Sequence, residues 1–323
     1  MFKKILAKLG KGAAVVDLRF ENRPYKAGET LEGELLIHGG EVTQQINNLS
    51  VRFMMGVNTK QGETASRQVA LVPISGPFSI EAKQVRHFPF NYTIPTDLPL
   101  TRGTVSYFFD TQLDIDAGVD RTDLDYLILT APERLQNVFN ALEHSGFREK
   151  ATSGKIDAFG QEFEFFPTKA FTGQINELEL RFANEDSGIR VWMEVDCRYG
   201  YQEIEAKTEF LIENEWLVDK EKLAGFFNER ISEVVENPEL FRQPFSYQSQ
   251  YRGGKPHGIG GMVGGLAAGV LGGMLLSEIM DGLDLDGMTE GAADMLGMEE
   301  DLFDMDNENE IEEFGDFFDD GED

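Results

Sequence analysis

The sequence predicts an all-β protein with two tandem antiparallel β-sandwiches, a short connecting helix, a helix after the second sandwich and a flexible acidic C-terminal tail. Apolar residues recur at every second position over most of 14–129 and 147–216, as in half-buried antiparallel strands. Turn residues separate these runs, and two stretches show a helical period instead. The predicted boundaries are 1–130 for the first sandwich, 131–252 for the second sandwich with its flanking helices, 253–280 for a glycine-rich apolar segment and 281–323 for the tail.

In the first sandwich the alternation is clearest in two runs. Their alternating residues are Phe88, Phe90, Tyr92 and Ile94 in one, and Tyr107, Phe109, Thr111, Leu113 and Ile115 in the other. The earlier stretch "YKAGETLEGELLIHGG", residues 25–40, has a turn glycine at Gly28 and a reversal at Gly39 and Gly40. Between them Leu31, Leu35 and Ile37 are expected to face the core. We interpret this stretch as scaffold.

The connecting helix is predicted in "TAPERLQNVFNALEHSGF", where Pro132 suits a first turn and Gly146 can end the helix. Its apolar face comprises Leu135, Val138, Phe139 and Leu142. The closing helix is predicted between a capping Asp219 and the pair Asn237–Pro238. Its apolar face comprises Leu223, Phe226, Phe227, Ile231 and Val234.

The second sandwich is predicted from a return of the alternation in "EFEFF", "INELELRF" and "IRVWMEVDC". A partial repeat supports the tandem arrangement. "QINNLSVRF" at 45–53 and "QINELELRF" at 174–182 agree at six of nine positions, with an offset of one domain length.

The charge is concentrated at the C-terminus. The formal net charge is -29, and 19 of the 58 acidic residues lie in 281–323, where there is no Lys or Arg. Because the rest of the chain is also acidic, it lacks the basic footprint that duplex nucleic acid requires, and we expect no nucleic-acid partner. The single cysteine, Cys197, cannot form an internal disulfide, and the basic start "MFKKILAKLGKGAA" lacks the continuous apolar run of a secretory signal. A cytoplasmic location is expected.

Several motifs occur in a characteristic order over roughly residues 2–210. They are "FKKILAKLG", "GAAVVDLRFENRPYKAGETLEGELLIHGGEVTQQI", "FPFNYTIPTDLP", "LDIDAGVDRTDLDYL", "LQNVFNALEHSGF" and "QEFEFFPTKAFTGQINELELRF". This ordered set resembles the bacterial sporulation-control protein family, stage zero protein M. The resemblance implies two arrestin-like sandwiches that serve as a regulatory interaction module and not as an enzyme. It does not extend to the glycine-rich segment or the acidic tail.

Candidate residues for chemistry are scarce. The four histidines, His38, His87, His144 and His257, have no His or Cys partner at metal spacing. Cys197 lies in an alternating strand, where a small buried residue is expected and not a nucleophile. The tail motif "DMDNENEIEEFG" begins like an EF-hand loop but has Asn309 in place of Gly and Gly315 in place of Glu. We therefore expect no catalytic residue, no cofactor and no metal site.

One acidic run could connect the two sandwiches. "DIDAGVDRTDLDY" contains the candidate interdomain polar element Asp116, Asp120, Arg121 and Asp123. The resemblance to arrestins suggests ion pairs that fix the orientation of the two sandwiches. The alternative is a solvated loop followed by a strand, in which exposed ion pairs contribute roughly 0 to 1 kcal/mol.

Residues 258–276, "GIGGMVGGLAAGVLGGMLL", carry no charge and approach the length of a membrane span. Gly261, Gly265, Gly269 and Gly273 recur every four residues, as on helix faces that approach one another closely. Because each glycine inside an exposed helix costs about 1 kcal/mol, a lone helix in water is not expected. The alternatives are a linker or fold-back, or contact with another copy or a bilayer.

The first eleven residues offer a second candidate membrane contact. Phe2, Ile5, Leu6 and Leu9 share a helical spacing, and Lys3, Lys4, Lys8 and Lys11 lie on other faces. Four lysines would add about 1 kcal/mol each near an anionic leaflet, which is enough only for weak, reversible association. The alternative is a surface helix or lead-in strand that packs on the first sandwich.

The tail ends with Phe314, Phe317 and Phe318 among acidic residues. Acidic segments with spaced aromatic residues can dock on basic grooves, so these three are candidates for self-docking of the tail. The leading functional hypothesis is a non-enzymatic arrestin-like scaffold that binds an unidentified protein in a developmental or stress pathway. The alternative is a peripheral membrane adaptor, held by the basic start or the glycine-rich segment.

Overall fold

The computed structural model describes residues 12–58, 64–96, 98–116, 119–157, 159–199 and 202–246. These ranges contain two units, one before and one after a short helix that begins at Glu133. The described helices are neither long enough nor apolar enough to cross a membrane.

The first unit is built from nine strands in the described ranges. They are β1 (Val15–Phe20), β2 (Pro24–Lys26), β3 (Thr30–His38), β4 (Gln44–Asn58), β5 (Thr64–Ser75), β6 (Phe78–Ile80), β7 (Val85–Thr93), β8 (Val105–Ile115) and β9 (Arg121–Thr130).

These strands form two sheets that pack face to face. One sheet has the order β1-β3-β7, and the other has the order β2-β9-β8-β4-β5, with β6 paired to β4. The expected alternation is confirmed, because Leu31, Leu35 and Ile37 of β3 are fully buried, as are Tyr107 and Phe109 of β8. Gly28 has a φ of 88°, the left-handed region that a turn glycine allows, and its N–H donates to the carbonyl of Ile94.

The second unit is built from six described strands and two helices. They are α1 (Glu133–His144), β10 (Phe147–Glu149), β11 (Lys155–Asp157), β12 (Gly160–Pro167), β13 (Ile175–Glu185), β14 (Gly188–Tyr199), β15 (Gln202–Glu213) and α2 (Lys220–Glu236). The strands form one antiparallel sheet with the order β10-β12-β13-β14-β15, and β11 pairs with β12.

Helices α1 and α2 pack on one face of this sheet. Phe139 of α1 contacts the rings of Phe163 and Phe182, with centroids 5.0 and 5.8 Å apart, and Phe227 of α2 lies 6.0 Å from Phe210. The long apolar side chains of the helices thus supply the layer that faces the strands. The opposite face carries polar and charged side chains, together with a small separate apolar cluster of Ala183, Trp192 and Phe245.

Both helices lie where the sequence predicts them. Their predicted apolar residues are buried, except that Phe226 is only partly buried. The side chain of Asp219 accepts a hydrogen bond of 3.0 Å from the backbone N–H of Lys222, which confirms it as the cap of α2. The predicted class is confirmed: a mostly β chain in several sheets, with one connecting and one closing helix; the strand pairs are antiparallel except that β2 pairs with β9 in parallel.

The partial repeat occupies equivalent positions in the two units. It falls on β4 and β13, which are interior strands of their sheets. Phe53 and Phe182 both point to a core, and the arginine before each points to the opposite face. Arg52 pairs with Asp110, and Arg181 pairs with Glu162 at 2.5 Å.

Candidate interaction surface

The outer side of the larger sheet of the first unit carries a group of exposed apolar side chains. In β9, Leu124, Tyr126 and Ile128 are 52%, 65% and 50% exposed, while Leu127 and Leu129 between and beyond them are buried. The strand therefore presents apolar side chains on both of its faces, although a sheet with one solvated face is expected to alternate apolar and polar residues.

Neighbouring strands extend this surface. Tyr126 lies opposite Phe108 of β8, with ring centroids 5.4 Å apart, and Phe108 lies opposite Met54 of β4. In the adjacent cross-strand row, Leu124 of β9 lies at one end and Leu71 of β5, which is 55% exposed, lies at the other. We call the surface formed by Met54, Leu71, Phe108, Leu124, Tyr126 and Ile128 the apolar face.

An ion pair lies at the centre of the apolar face. Between Leu124 and Leu71 lie Asp110 and Arg52, which form an ion pair. Asp110 is only 7% exposed, because the side chains around it cover its carboxylate. These two rows are therefore electrically neutral, although the chain as a whole has a net charge of -29.

The outer side of the second sheet is, in contrast, acidic. Cross-strand pairing places Glu164, Glu179, Glu194 and Lys207 in one row, since each lies directly opposite the next on the neighbouring strand. Glu164 accepts hydrogen bonds of 3.0 Å from Lys155 Nζ and from Thr152 Oγ1. Like charges directly opposite one another destabilise a sheet unless they are protonated or paired.

The pKa values reflect this crowding. Burial, together with repulsion from Glu162 and Glu194, raises the pKa of Glu179 to about 9. Burial likewise raises the pKa of Glu194 to about 8, against the opposing effect of Lys207, and the pKa of Asp196 to about 7. Part of this row is therefore uncharged at neutral pH. No group of His, Cys, Asp and Glu in the described ranges has a metal-binding arrangement.

The two units meet through a buried amide. The side chain of Gln161 at the start of β12 accepts a hydrogen bond of 2.8 Å from Leu100 N and donates one of 3.0 Å to Leu100 O. Nearby, Arg102 Nε lies 3.5 Å from Glu149 Oε1, and the backbones of Gly103 and Gly154 approach so closely that a side chain on either would collide with the other segment. These contacts connect the β7–β8 segment to the second unit.

Two members of the predicted interdomain polar element make hydrogen bonds within the first unit. Asp123 Oδ2 accepts a hydrogen bond of 3.1 Å from Leu18 N, which ties β9 to β1. Asp120 Oδ1 accepts one of 3.2 Å from Ile115 N and so closes the β8–β9 hairpin. Both bonds lie within the first unit, where they link or brace its sheets. An interdomain role for Asp116, Asp120, Arg121 and Asp123 stays a prediction.

The described residues show how the candidate chemical groups are placed. Cys197 is buried, and burial together with the charge of Asp196 raises the pKa of its thiol to about 11, so the thiolate that a nucleophile needs is scarce. His87 Nδ1 lies 3.1 Å from Glu34 Oε2 at the surface. His257 lies outside the described residues, as do the lysine, glycine and phenylalanine candidates. Those candidates are Lys3, Lys4, Lys8, Lys11, Gly261, Gly265, Gly269, Gly273, Phe314, Phe317 and Phe318.

The sequence interpretation missed the apolar face. Its signal lies in the strand Arg121–Thr130, where Leu124, Tyr126 and Ile128 occupy one phase of the alternation and the buried Leu127 and Leu129 occupy the other. An apolar residue at both phases of the alternation would have indicated a strand with two apolar faces.

Comparison with known proteins gives a consistent result. The family described as SpoOM protein matches residues 2–199. The sporulation-control protein spo0M of Bacillus subtilis is 34% identical over 208 residues, which cover 61% of this chain and 81% of that protein. The crystal structure of Spo0M from Bacillus subtilis is similar, with a TM-score of 0.56 and 29% identity over 69% of this chain and 99% of that chain.

Proposed function

The chain belongs to the SpoOM family of sporulation-control proteins, and from this membership we propose that it is a non-enzymatic, cytoplasmic regulatory scaffold that acts by binding another protein. The regulatory pathway is a developmental or stress pathway. The family match and the buried, high-pKa state of Cys197 support a role in binding and not in catalysis.

The observation that carries the proposal is the apolar face. Exposed apolar patches rimmed by polar residues mark interaction sites, and aromatic side chains near the centre of such patches contribute most of the binding energy. Tyr126, 65% exposed, packs against Phe108, which lies between Tyr126 and Met54 in the patch. Burial of these side chains by a partner would gain about 25 cal/mol for each Å² of apolar surface removed from water.

The central ion pair suggests how a partner is selected. Arg52 and Asp110 already neutralise each other, so a partner that covers them need not supply a charge. A partner with an unpaired charge at that point would lose hydration without compensation. The surface therefore favours a partner whose contact region is apolar and neutral at its centre.

The test is a pair of surface variants made in the native organism. Leu124→Ser with Tyr126→Ser removes two of the most exposed side chains of the apolar face, and Val218→Ser with Leu240→Ser removes two apolar side chains that are 81% and 76% exposed elsewhere. We expect affinity capture with mass spectrometry to show one protein depleted at least about tenfold by the first pair, as for loss of an interface hot spot. The second pair should leave that protein unchanged, and equal recovery from both pairs would contradict the proposal.

The acidic tail adds a regulatory element to the proposal. Its residues Phe314, Phe317 and Phe318 are proposed to dock on the body of the protein and to be displaced by the partner. Deletion of 281–323 is then expected to increase recovery of the partner in a pull-down. Unchanged recovery would count against self-docking.

A further inference from the structure

We propose that residues 258–276 of the same chain pack on the apolar face and compete there with the protein partner. The competition rests on the proposed function, whereas the contact itself does not depend on it. The occupant follows from three properties of the chain: the chemistry of the face, the chemistry of the segment and the length of chain that connects them.

The two surfaces match in polarity and charge. All nineteen residues of 258–276 are apolar or glycine, so the segment carries no charged side chain. The cross-strand rows of the apolar face are also neutral. Contact between them removes apolar surface from water on both sides without stripping an unpaired charge of its hydration. The acidic tail is a poorer occupant, because its carboxylates would lose hydration against a neutral, largely apolar surface that offers no unpaired positive charge.

The apolar face adjoins a row of small residues. Beside the row of Tyr126, Ser106, Gly56 and Ser66 are cross-strand neighbours. No large side chain of this row stands between a docked segment and the exposed side chains of Tyr126 and Ile128. The glycines that recur every four residues in the segment would let its backbone approach this part of the sheet closely.

The reach of the connecting chain is comparable to the width of one unit, and the covalent connection favours contact within one molecule. The described chain leaves the second unit at Ser246, whose N–H donates to the side chain of Glu209. Twelve residues, 247–258, then precede Ile259, and an extended chain of that length spans about 40 Å. A unit of this size is roughly 35 Å across. A tether of this kind raises the effective concentration of the segment to the order of millimolar, which a separate partner must overcome.

Crosslinking in the full-length chain tests the contact. Tyr126→Cys is combined with Leu266→Cys, and the matched control combines Leu240→Cys with Leu266→Cys. Leu240 is 76% exposed and lies only six residues before Ser246, so tethering alone would favour the control pair. Native Cys197 can remain, because its buried thiol has a raised pKa.

We expect intramolecular disulfide formation, read from the monomer band in dilute solution, to be at least about tenfold faster for Tyr126→Cys than for the control. Equal or slower formation would overturn the proposal, and so would a disulfide-linked dimer as the main product, since that result assigns the face to a second copy.

Deletion of 258–276, with the acidic tail retained, tests the competition separately. Hydroxyl-radical oxidation of Tyr126 should rise severalfold, that of Val218 should not change, and recovery of the partner should increase. If crosslinking fails while Leu124→Ser with Tyr126→Ser still loses the partner, the present inference is wrong and the proposed function stands. If crosslinking succeeds while no partner depends on the apolar face, the segment covers the face but the proposed function is wrong.

Discussion

The side-chain amide of Gln161 forms hydrogen bonds to both the N–H and the carbonyl of Leu100, across the boundary between the two units. Gln161 is fully buried and also donates to the carbonyl of Gly154 at 2.8 Å. One side chain thus satisfies three backbone groups that water cannot reach. This arrangement makes Gln161 the principal polar contact between the units in the described part of the chain.

Replacement of Gln161 by Leu should therefore weaken the junction. Loss of the amide leaves buried backbone groups of Leu100 and Gly154 unsatisfied, at a cost of about 2–4 kcal/mol. Urea unfolding followed by circular dichroism should show a lower midpoint, with a broadened or two-step transition if the units separate. Gln136→Ala on the exposed side of α1 is the control. If both changes lower the urea midpoint equally, Gln161 has no special role at the junction.

The ion pair of Arg52 and Asp110 gives a second prediction. Arg52→Leu leaves the carboxylate of Asp110, which is 7% exposed, without its partner, and we expect a loss of about 2 kcal/mol in the free energy of unfolding. Arg52→Leu combined with Asp110→Leu should recover most of this loss, because no charge is then buried. A double-mutant cycle measures the coupling, and strictly additive losses would mean that the pair does not interact.

The carboxylate row of the second sheet predicts a dependence of stability on pH. The pKa of Glu179 is about 9 in the folded chain against a usual value of 4.5, so the folded state binds more protons than the unfolded state between these pH values. The stability contributed by the protonated group is fully present below pH 4.5 and is lost as the pH rises toward 9, with a slope of up to about 1.4 kcal/mol per pH unit for one proton.

Glu179→Gln should remove part of this slope, because the amide is uncharged at every pH in the range. We expect the variant to unfold at higher urea concentration than the wild type at pH 8 and at a similar concentration at pH 5. Glu215→Gln, at an exposed position outside the row, is the control. A wild-type stability that rises between pH 5 and pH 8 would contradict the assigned direction.

The cap of α2 gives a local test of the fold. Asp219→Ala removes the acceptor for the N–H of Lys222 and should lower the free energy of unfolding by about 1 kcal/mol. Asp219→Ser keeps an oxygen acceptor at the same position and should retain most of the stability. If Ser and Ala variants unfold alike, the hydrogen bond is not the source of the effect.

The local features of the fold follow from the sequence because their causes are local. Alternation predicts that Tyr107 and Phe109 face the core, and a capping aspartate with a helical period predicts α2 from Asp219 onward. The repeat at 45–53 and 174–182 predicts two related units, and the structure places its two arginines, Arg52 and Arg181, on equivalent outer faces.

The site depends on pairings that no local pattern encodes. Gln161 meets Leu100 across 61 positions, and Arg52 meets Asp110 across 58. The apolar face appears only when Tyr126 is placed beside Phe108 and Met54, which requires the order of the strands in the sheet. For the same reason, Asp123 is recognisable as a charged residue in the sequence, but its bond to Leu18 is not.

The chemical state of Cys197 supplies the last prediction and bears directly on whether the protein has a reactive centre. Burial and the charge of Asp196 raise the pKa of the thiol from 9.0 to about 11, which lowers the thiolate fraction at neutral pH about a hundredfold. Alkylation with iodoacetamide should therefore be at least that much slower in the folded protein than in urea.

The exposed thiol of a Tyr126→Cys variant serves as an internal comparison, because it should react in the folded chain while Cys197 does not. Peptide mass spectrometry separates the two sites. Rapid labelling of Cys197 in the folded state at pH 7 would show an accessible thiolate and would contradict the expectation that Cys197 is not a nucleophile. Slow labelling that accelerates only on unfolding means that Cys197 is a buried packing residue.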